Sequence, residues 1–138
     1  MLSAPLGEWI ARQAFHLVNG GGQGTMAEVA RAFIEMPERE GQVIGILPAD
    51  QPCKTTEERK KYQSPSGYPN DFVEIPSRTH LSLSGSDGMD QASRNHIVVL
   101  TSDLVVALPG SSGTRSEIEL ALQYKKPLVI LNQDGVWN

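Results

Sequence analysis

Two glycine-rich stretches contain the residues best suited to bind an anion. They are "GGGQGTMAE" (residues 20–28) and "PGSSGTRSE" (residues 109–117), and both contain Gly-Thr-x-x-Glu. Each follows a short apolar run and precedes apolar residues at helical spacing. Where a parallel strand turns into a helix in this way, the free N–H groups of the first helical turn and the helix dipole attract negative charge. The sequence therefore predicts a phosphate-binding crevice between the two turns.

The residue types in both turns fit this chemistry. Glycine allows positive φ and a close approach of the backbone to a ligand, and hydroxyl groups donate to phosphate oxygens without adding charge. The residues expected to contact the ligand are Gly20, Gly21, Gly22, Gly24 and Thr25 in the first turn, and Gly110, Ser111, Ser112, Gly113 and Thr114 in the second.

A second interpretation of the same residues is helix capping. In a capping box, a threonine side chain accepts from the N–H three residues on, and a glutamate at that position accepts from the threonine N–H. Both Thr25/Glu28 and Thr114/Glu117 have this spacing. The box accounts for Glu28 without a ligand, whereas the Pro-Gly-Ser-Ser-Gly before Glu117 goes beyond what a cap requires.

The two turns must be positioned by a sheet, and the pattern along the chain predicts one. Strands are expected at 15–19, 42–48, 72–75, 103–108 and 127–131, helices at 5–14, 25–36, 89–100 and 117–126, and a long polar loop at 49–70. Continuous apolar strands alternating with helices indicate a Rossmann-like, doubly wound α/β fold, with a mostly parallel sheet and helices on both faces. Such sheets normally begin with a strand, whereas this chain begins with a helix. We therefore expect the usual first strand to be absent.

Composition narrows the class of protein. The 138 residues include 12 basic and 16 acidic side chains, for a net charge of -4. This length fits one domain, residues 1–138, and the lack of a basic stripe argues against nucleic acid as a partner. The lone Cys53 cannot form an internal disulfide, and no Cys/His set predicts a metal site. No apolar segment approaches the ~20 residues that span a bilayer, so we expect a cytoplasmic protein without a membrane partner.

Four motifs resemble those of one superfamily. "LPGSSGTRSEIELAL" (108–122) resembles the PGGxGTxxE motif of the LOG-like proteins of the SLOG superfamily, formerly called lysine decarboxylase-like, with Ser111 in place of the second glycine. "VNGGGQGTM" (18–26), "GQVIGILP" (41–48) and "SRNHIVVLTSDLVVALPG" (93–110) are similar to three further motifs in the same order. The resemblance covers nearly the whole chain and implies a Rossmann-like fold.

The resemblance implies one of two functions. The LOG branch hydrolyses the N-glycosidic bond of nucleoside 5′-monophosphates, and the resemblance would give the catalytic roles to Arg94 and Glu117. The molybdenum cofactor carriers bind a phosphorylated pterin without transforming it. In LOG enzymes a lysine typically follows the arginine and a second acidic residue follows the glutamate, whereas Asn95 and Ile118 occupy these positions here. We therefore favour the carrier branch, with the molybdenum cofactor or a nucleotide as the expected ligand.

Further residues have expected roles at such a site. Arg94 or Arg78 would add charge-assisted hydrogen bonds to the phosphate, and Asn95 would contact the pterin edge. His80 and His96 are additional candidate pocket residues. No metal ligand is expected from this chain, because bound molybdenum would need no thiolate from it. A homo-oligomer, a dimer or tetramer, would repair a sheet that lacks a strand. A third interpretation is a structural scaffold without a ligand.

Overall fold

A computed structural model describes residues 2–109 and 112–131 of the chain. Helices and strands alternate along these residues. The helices are α1 (Ser3–Arg12), α2 (Thr25–Ile34), α3 (Thr56–Lys61), α4 (Asn95–Thr101) and α5 (Ser112–Gln123), with a 3₁₀ turn at Gly85–Asp87. The strands are β1 (Leu17–Asn19), β2 (Val43–Leu47), β3 (Ile75–Arg78), β4 (Val105–Ala107) and β5 (Leu128–Ile130). None of the helices in the described ranges combines the length and apolar content needed to cross a membrane.

The strands form two parallel sheets. One has the order β1-β2-β3, with Leu17 opposite Val43, and the other pairs β4 with β5, with Val105 opposite Leu128. Parallel neighbours require a crossover connection, which α2 supplies between β1 and β2 and α5 supplies between β4 and β5. The predicted Rossmann-like, mostly parallel α/β fold is confirmed.

The larger hydrophobic core lies between α1, α2 and the first sheet. Phe33 of α2 and Val43 of β2 are fully buried, and Ile10 of α1 packs with them. The two helices approach closely because Gly7 has no side chain: a Cβ there would lie 3.0 Å from Ala32 Cβ. Both helices thus bury one apolar face, as their sequence spacing predicts.

A smaller core lies beside the second sheet. Val99 of α4 and Leu120 and Ala121 of α5 are buried, with Val105 and Leu128 packed against them. The part of the chain that the structure describes therefore has two groups of buried apolar residues, one beside each sheet.

The strand predicted at 72–75 begins further along the chain than expected. Phe72 and Val73 pack against the larger core, whereas β3 begins at Ile75 and is exposed along its length. The apolar residues Phe72 and Val73 thus mark the segment that packs against the core. The segment that pairs with β2 is the exposed edge strand β3, which has little apolar content.

The helix predicted at 89–100 begins late, at Asn95, because short polar side chains compete for the backbone before it. Asp90 Oδ1 accepts from the N–H of Ala92 at 2.8 Å, and Ser93 Oγ accepts from the N–H of Asn95 at 3.1 Å. The helix predicted at 117–126 begins early, at Ser112.

A cavity of about 1020 Å³ separates the two sheets. It is lined by α1, by residues 16–19 along β1 and by residues 101–109 along β4. Within the described ranges, no strand pairs with the outer edge of β1 or of β4. This gap agrees with the predicted absence of the usual first strand.

Candidate functional site

The first glycine turn, residues 20–24, is fixed by two asparagines. Asn19 Oδ1 accepts from the N–H of Gly21 at 2.9 Å. From the loop before β3, the Asn70 N–H donates to the carbonyl of Gly21 and Asn70 Nδ2 donates to the carbonyl of Gly22, both at 2.8 Å. These contacts satisfy two carbonyl groups of the turn and hold its backbone in one shape.

The N-terminus of α2 follows this turn and has no side-chain cap. Its N-cap residue is Gly24, with φ +72°, a conformation that glycine adopts readily. Thr25 is already the first helical residue, so the predicted capping box of Thr25 and Glu28 is wrong. The N–H groups of the first turn therefore keep the electrostatic character of an anion site.

Arg94 lies beside the turn and is only 4% exposed. Its Nε donates to the carbonyl of Ile46 at 3.2 Å, its Nη1 donates to Asn95 Oδ1 at 2.6 Å, and the guanidinium also donates to the Tyr68 hydroxyl. A Cβ at Gly20 would lie 2.5 Å from Arg94 Nη2. The guanidinium thus occupies space that only glycine leaves free.

Glu117 supplies the second charge at this site. It lies on α5, lines the cavity and is partly buried. Burial raises the pKa of the Glu117 carboxyl, and the nearby positive charge of Arg94 opposes this rise without cancelling it. Burial lowers the pKa of Arg94, and Tyr68 and Glu117 partly offset that change. Since a guanidinium keeps its proton at neutral pH, the site combines a buried cation with a carboxyl group that binds a proton more readily than an exposed glutamate.

Both ends of the second glycine turn reach the same cavity as the first turn. Pro109 and Thr114 line it together with Gln23 and Thr25. The residues on either side of the second turn thus lie at the same cavity as the first turn.

The other members of the second turn are placed as follows. Ser112 and Gly113 belong to the first turn of α5, whereas Gly110 and Ser111 lie outside the described residues. Thr114 is the third residue of α5 and does not precede the helix, so the capping box predicted for Thr114 and Glu117 is also wrong.

Asn95 and Arg78 occupy different environments. Asn95 is buried, lines the cavity and holds the Arg94 guanidinium. Arg78, at the end of β3, is exposed and its Nη1 donates to Ser64 Oγ at 2.9 Å. The cavity lining includes Arg94 and does not include Arg78.

Neither candidate histidine lines the cavity. The ring nitrogens of His96 contact the Tyr124 hydroxyl at 2.6 Å and the carbonyl of Met89 at 2.9 Å. In the ranges that the structure describes, no three His, Cys, Asp or Glu side chains are grouped so that they could hold a metal ion.

Sequence reasoning did not identify Tyr68 and Asn70. Both lie in the long polar loop predicted at 49–70, which also contacts the turn through Gln23 Nε2 and the carbonyl of Gly67 at 2.7 Å. No motif marks these residues. The available signal is a tyrosine and an asparagine on either side of Pro69, in a loop too long to be a simple connection.

The fold and the position of this site, at the carboxyl ends of parallel strands, define a Rossmann-like α/β protein. The chain matches the SLOG cluster4 family over residues 2–137 and belongs to that family. It is similar to an uncharacterised protein of Archaeoglobus fulgidus, with 32% identity over 126 residues, which are 91% of this chain and 66% of that protein. The X-ray structure of TM1055 has a similar fold, with a TM-score of 0.72 and 24% identity, covering 98% of this chain and 64% of TM1055. The chain thus spans slightly less than two thirds of the length of both relatives.

Proposed function

We propose that this protein binds a phosphorylated small molecule, a pterin or a nucleotide, and carries it without transforming it. The observation that supports this most directly is the buried Arg94 guanidinium beside the uncapped N-terminus of α2. Both groups attract an anion, and the glycine turn between them allows a ligand to approach the backbone.

The hydrogen-bonding capacity of Arg94 favours an anionic ligand. A guanidinium has five N–H donors, and within the described ranges its partners here are Ile46, Asn95 and Tyr68. The nearby Glu117 offsets part of the positive charge of Arg94. A phosphate would accept charge-assisted hydrogen bonds from the remaining donors.

The size of the cavity fits a ligand larger than phosphate alone. Its volume of about 1020 Å³ is at the upper end of the ~300–1,000 Å³ typical of small-molecule pockets. Apolar residues such as Met26 and Val98 line it beside the polar ones. A flat ring system attached to a phosphorylated group suits this combination.

Asn95 favours the carrier over the hydrolase. The resemblance places a lysine here in LOG-type enzymes, and a lysine would add a second positive charge beside Arg94. Asn95 instead accepts a hydrogen bond from Arg94, so it positions the arginine and adds no charge.

The test is calorimetric titration with matched pairs of ligands: adenosine 5′-monophosphate against adenosine, and a phosphorylated pterin against the same pterin without phosphate. We expect binding only of phosphorylated members. Arg94→Lys should weaken it by roughly tenfold to a hundredfold, because a lysine lacks the planar fork of donors. Arg31→Gln removes a positive charge from the exposed surface of α2 and should leave affinity unchanged. Equal affinity for adenosine and its monophosphate would refute the proposal.

The second candidate is a phosphoribohydrolase of the LOG type, favoured by the raised pKa of Glu117 beside Arg94. Such a carboxyl group could protonate a leaving base or orient water. Incubation with nucleoside 5′-monophosphates, followed by chromatography for free base, separates the two. Base release that Glu117→Gln abolishes and Glu119→Gln retains would establish the hydrolase; binding without release supports the carrier. The homo-oligomer and the cytoplasmic location stay predictions.

A further inference from the structure

The two strands that border the cavity both present a backbone edge to it. In β1 the N–H of Leu17 donates to the carbonyl of Gln42, so Leu17 faces β2. Successive residues of a strand alternate in direction, so the N–H and C=O groups of Val18 face the cavity. In β4 the N–H of Val105 donates to the carbonyl of Pro127, so by the same alternation the backbone of Val106 faces the cavity.

The space between these edges has the size of a strand. With a rise of about 3.3 Å per residue, a strand spacing of about 4.8 Å and a layer thickness of about 10 Å, five residues of strand occupy about 800 Å³. The cavity measures about 1020 Å³ and runs along the whole of β1 and β4. A strand of this length would therefore fill most of the cavity and leave about 220 Å³ at one end, enough for the phosphate-bearing part of a ligand.

The walls of the cavity are mainly apolar. Leu6, Trp9 and Ile10 of α1 and Val98 and Val99 of α4 line it. Trp9 remains 43% exposed, although it lies on the apolar face of a helix that is otherwise packed. A strand in the cavity would cover this surface with its side chains.

We propose that an extended apolar segment of polypeptide, from outside these 138 residues, binds in this cavity as a β-strand parallel to β1 and β4. It joins the two sheets in one, with the order β3-β2-β1-strand-β4-β5, by pairing with Val18 on one side and Val106 on the other. The segment is about five residues long and apolar on both faces, as buried parallel strands are. Both relatives compared above are longer than this chain, and so have residues that could form such a strand.

This strand would also complete the candidate site. Its carboxyl end would emerge between the end of β1, where Gly20 lies against Arg94, and the end of β4, where Pro109 begins the second turn. The inference rests on the strand edges and the cavity, and it stands whether or not the ligand is phosphorylated.

The experiment uses a soluble peptide with about five central residues of alternating valine and isoleucine and lysines at both ends. Amide hydrogen exchange of the intact chain is measured by NMR with and without this peptide. We expect the amides of Val18 and Val106 to exchange in the free protein and to slow by roughly tenfold or more when the peptide binds. The amides of Leu17 and Val105, which already pair within their own sheets, should change little.

The control is the same peptide with proline at alternate central positions, which cannot complete a ladder of hydrogen bonds. It should neither bind nor protect these amides. Three results would each overturn the proposal: protection of Val18 and Val106 in the free protein, no added protection with the apolar peptide, or equal protection by the proline peptide. Because no variant of the chain is needed, a folding defect cannot obscure the answer.

Discussion

Because Gly20 has no side chain, the Arg94 guanidinium can lie against the backbone there. A Cβ there would lie 2.5 Å from Arg94 Nη2 and 2.9 Å from Cζ, much closer than atoms can approach. Arg94 in turn is held by Ile46 and Asn95. Glycine and arginine therefore act as one unit, although 74 positions separate them in the sequence.

Gly20→Ala should displace Arg94 and so weaken binding of adenosine 5′-monophosphate by roughly tenfold or more, because a charge-assisted contact is lost. We expect a loss of stability of about 1–3 kcal/mol as well, as in other crowded interiors. Calorimetry and thermal denaturation measure the two effects separately. Unchanged affinity in a folded variant would show that Arg94 does not contact the ligand.

Glu117 should make both stability and binding depend on pH. Its pKa is raised in the folded protein, so between the ordinary glutamate pKa and the raised one the native state binds more protons than the unfolded state. Stability should then fall as pH rises through this window. Glu117→Gln should remove that fall in thermal denaturation at a series of pH values.

The same substitution should change ligand affinity most above the raised pKa. There the wild-type carboxylate competes with the phosphate for Arg94, whereas glutamine has no charge. The ratio of the wild-type to the variant dissociation constant, measured with one ligand, cancels the titration of the ligand itself. Glu119→Gln, exposed and paired with Arg115, is the matched control. A ratio that does not rise with pH would contradict this account.

The resemblance pointed to Arg94 and Glu117, which both line the cavity, but nothing in the sequence pointed to the residues that hold the first glycine turn. The roles of Arg94 and Glu117 as ligand-binding or catalytic residues stay predictions from the resemblance. Asn70 acts through its backbone and amide contacts with the glycine turn, and such contacts depend on how a long loop folds back. Tertiary contacts of this kind leave no local periodicity or composition in the chain.

Among the elements, the segment before β2 and the loop before β3 are joined by an ion pair. Arg39 Nη1 and Nη2 donate to the two carboxylate oxygens of Glu74 at 2.8 Å, and Glu74 Oε1 also accepts from the N–H of Val43 at 3.0 Å. The hydrogen bond from Arg39 is the main cause that lowers the pKa of Glu74. This bidentate pair fixes the first residue of β2 and the approach to β3.

Glu74→Gln should lower the free energy of unfolding by about 1 kcal/mol at neutral pH, since the pair is partly solvated. Because its pKa is lowered on folding, Glu74 contributes stability above the ordinary glutamate pKa and loses it as pH falls through the folded value. Urea denaturation at neutral and acidic pH measures this, and the difference from wild type should shrink in acid. Glu35→Gln, which removes an exposed pair with Arg31, should have almost no effect.

The position of an element could be predicted from the sequence where its buried residues follow a helical or strand spacing. β2 and α2 are buried along one or both faces, and their predicted positions agree closely with the structure. β3 has no buried residue, so apolar content could not locate it. The start of α4 depends on bonds from Asp90 and Ser93 to the backbone, which compete with the helix at positions where spacing alone favours it.

For the whole molecule, the two cores predict unequal stability. In the described ranges, α1, α2 and the first sheet have eleven buried apolar residues, whereas α4, α5 and the second sheet have five. Less buried apolar area gives less stabilisation. Local unfolding of α4, α5 and the second sheet should therefore cost less free energy than local unfolding of α1, α2 and the first sheet.

Native-state hydrogen exchange in low concentrations of denaturant tests this directly. The amides of Val99 and Leu120 should exchange at least roughly tenfold faster than those of Phe33 and Val43. The strand-forming peptide should reduce the difference, because it would link the two sheets. Identical exchange in both halves would show that the cavity does not divide the fold into two cooperative units.

The fold class was predictable because it depends on the alternation of elements along the chain. The gap between the sheets was predictable only as the absence of a strand at the beginning of the pattern. Its dimensions, and the exposure of Trp9 on its wall, depend on how far the two halves stand apart, which no local pattern encodes.

The cavity-facing edges of β1 and β4, which pair with no strand in the described ranges, have a practical consequence for handling the protein. Exposed strand edges are templates for self-association, and here two of them face one apolar opening. Purified material should therefore form soluble aggregates as its concentration increases, and the strand-forming peptide should act as an aggregation inhibitor.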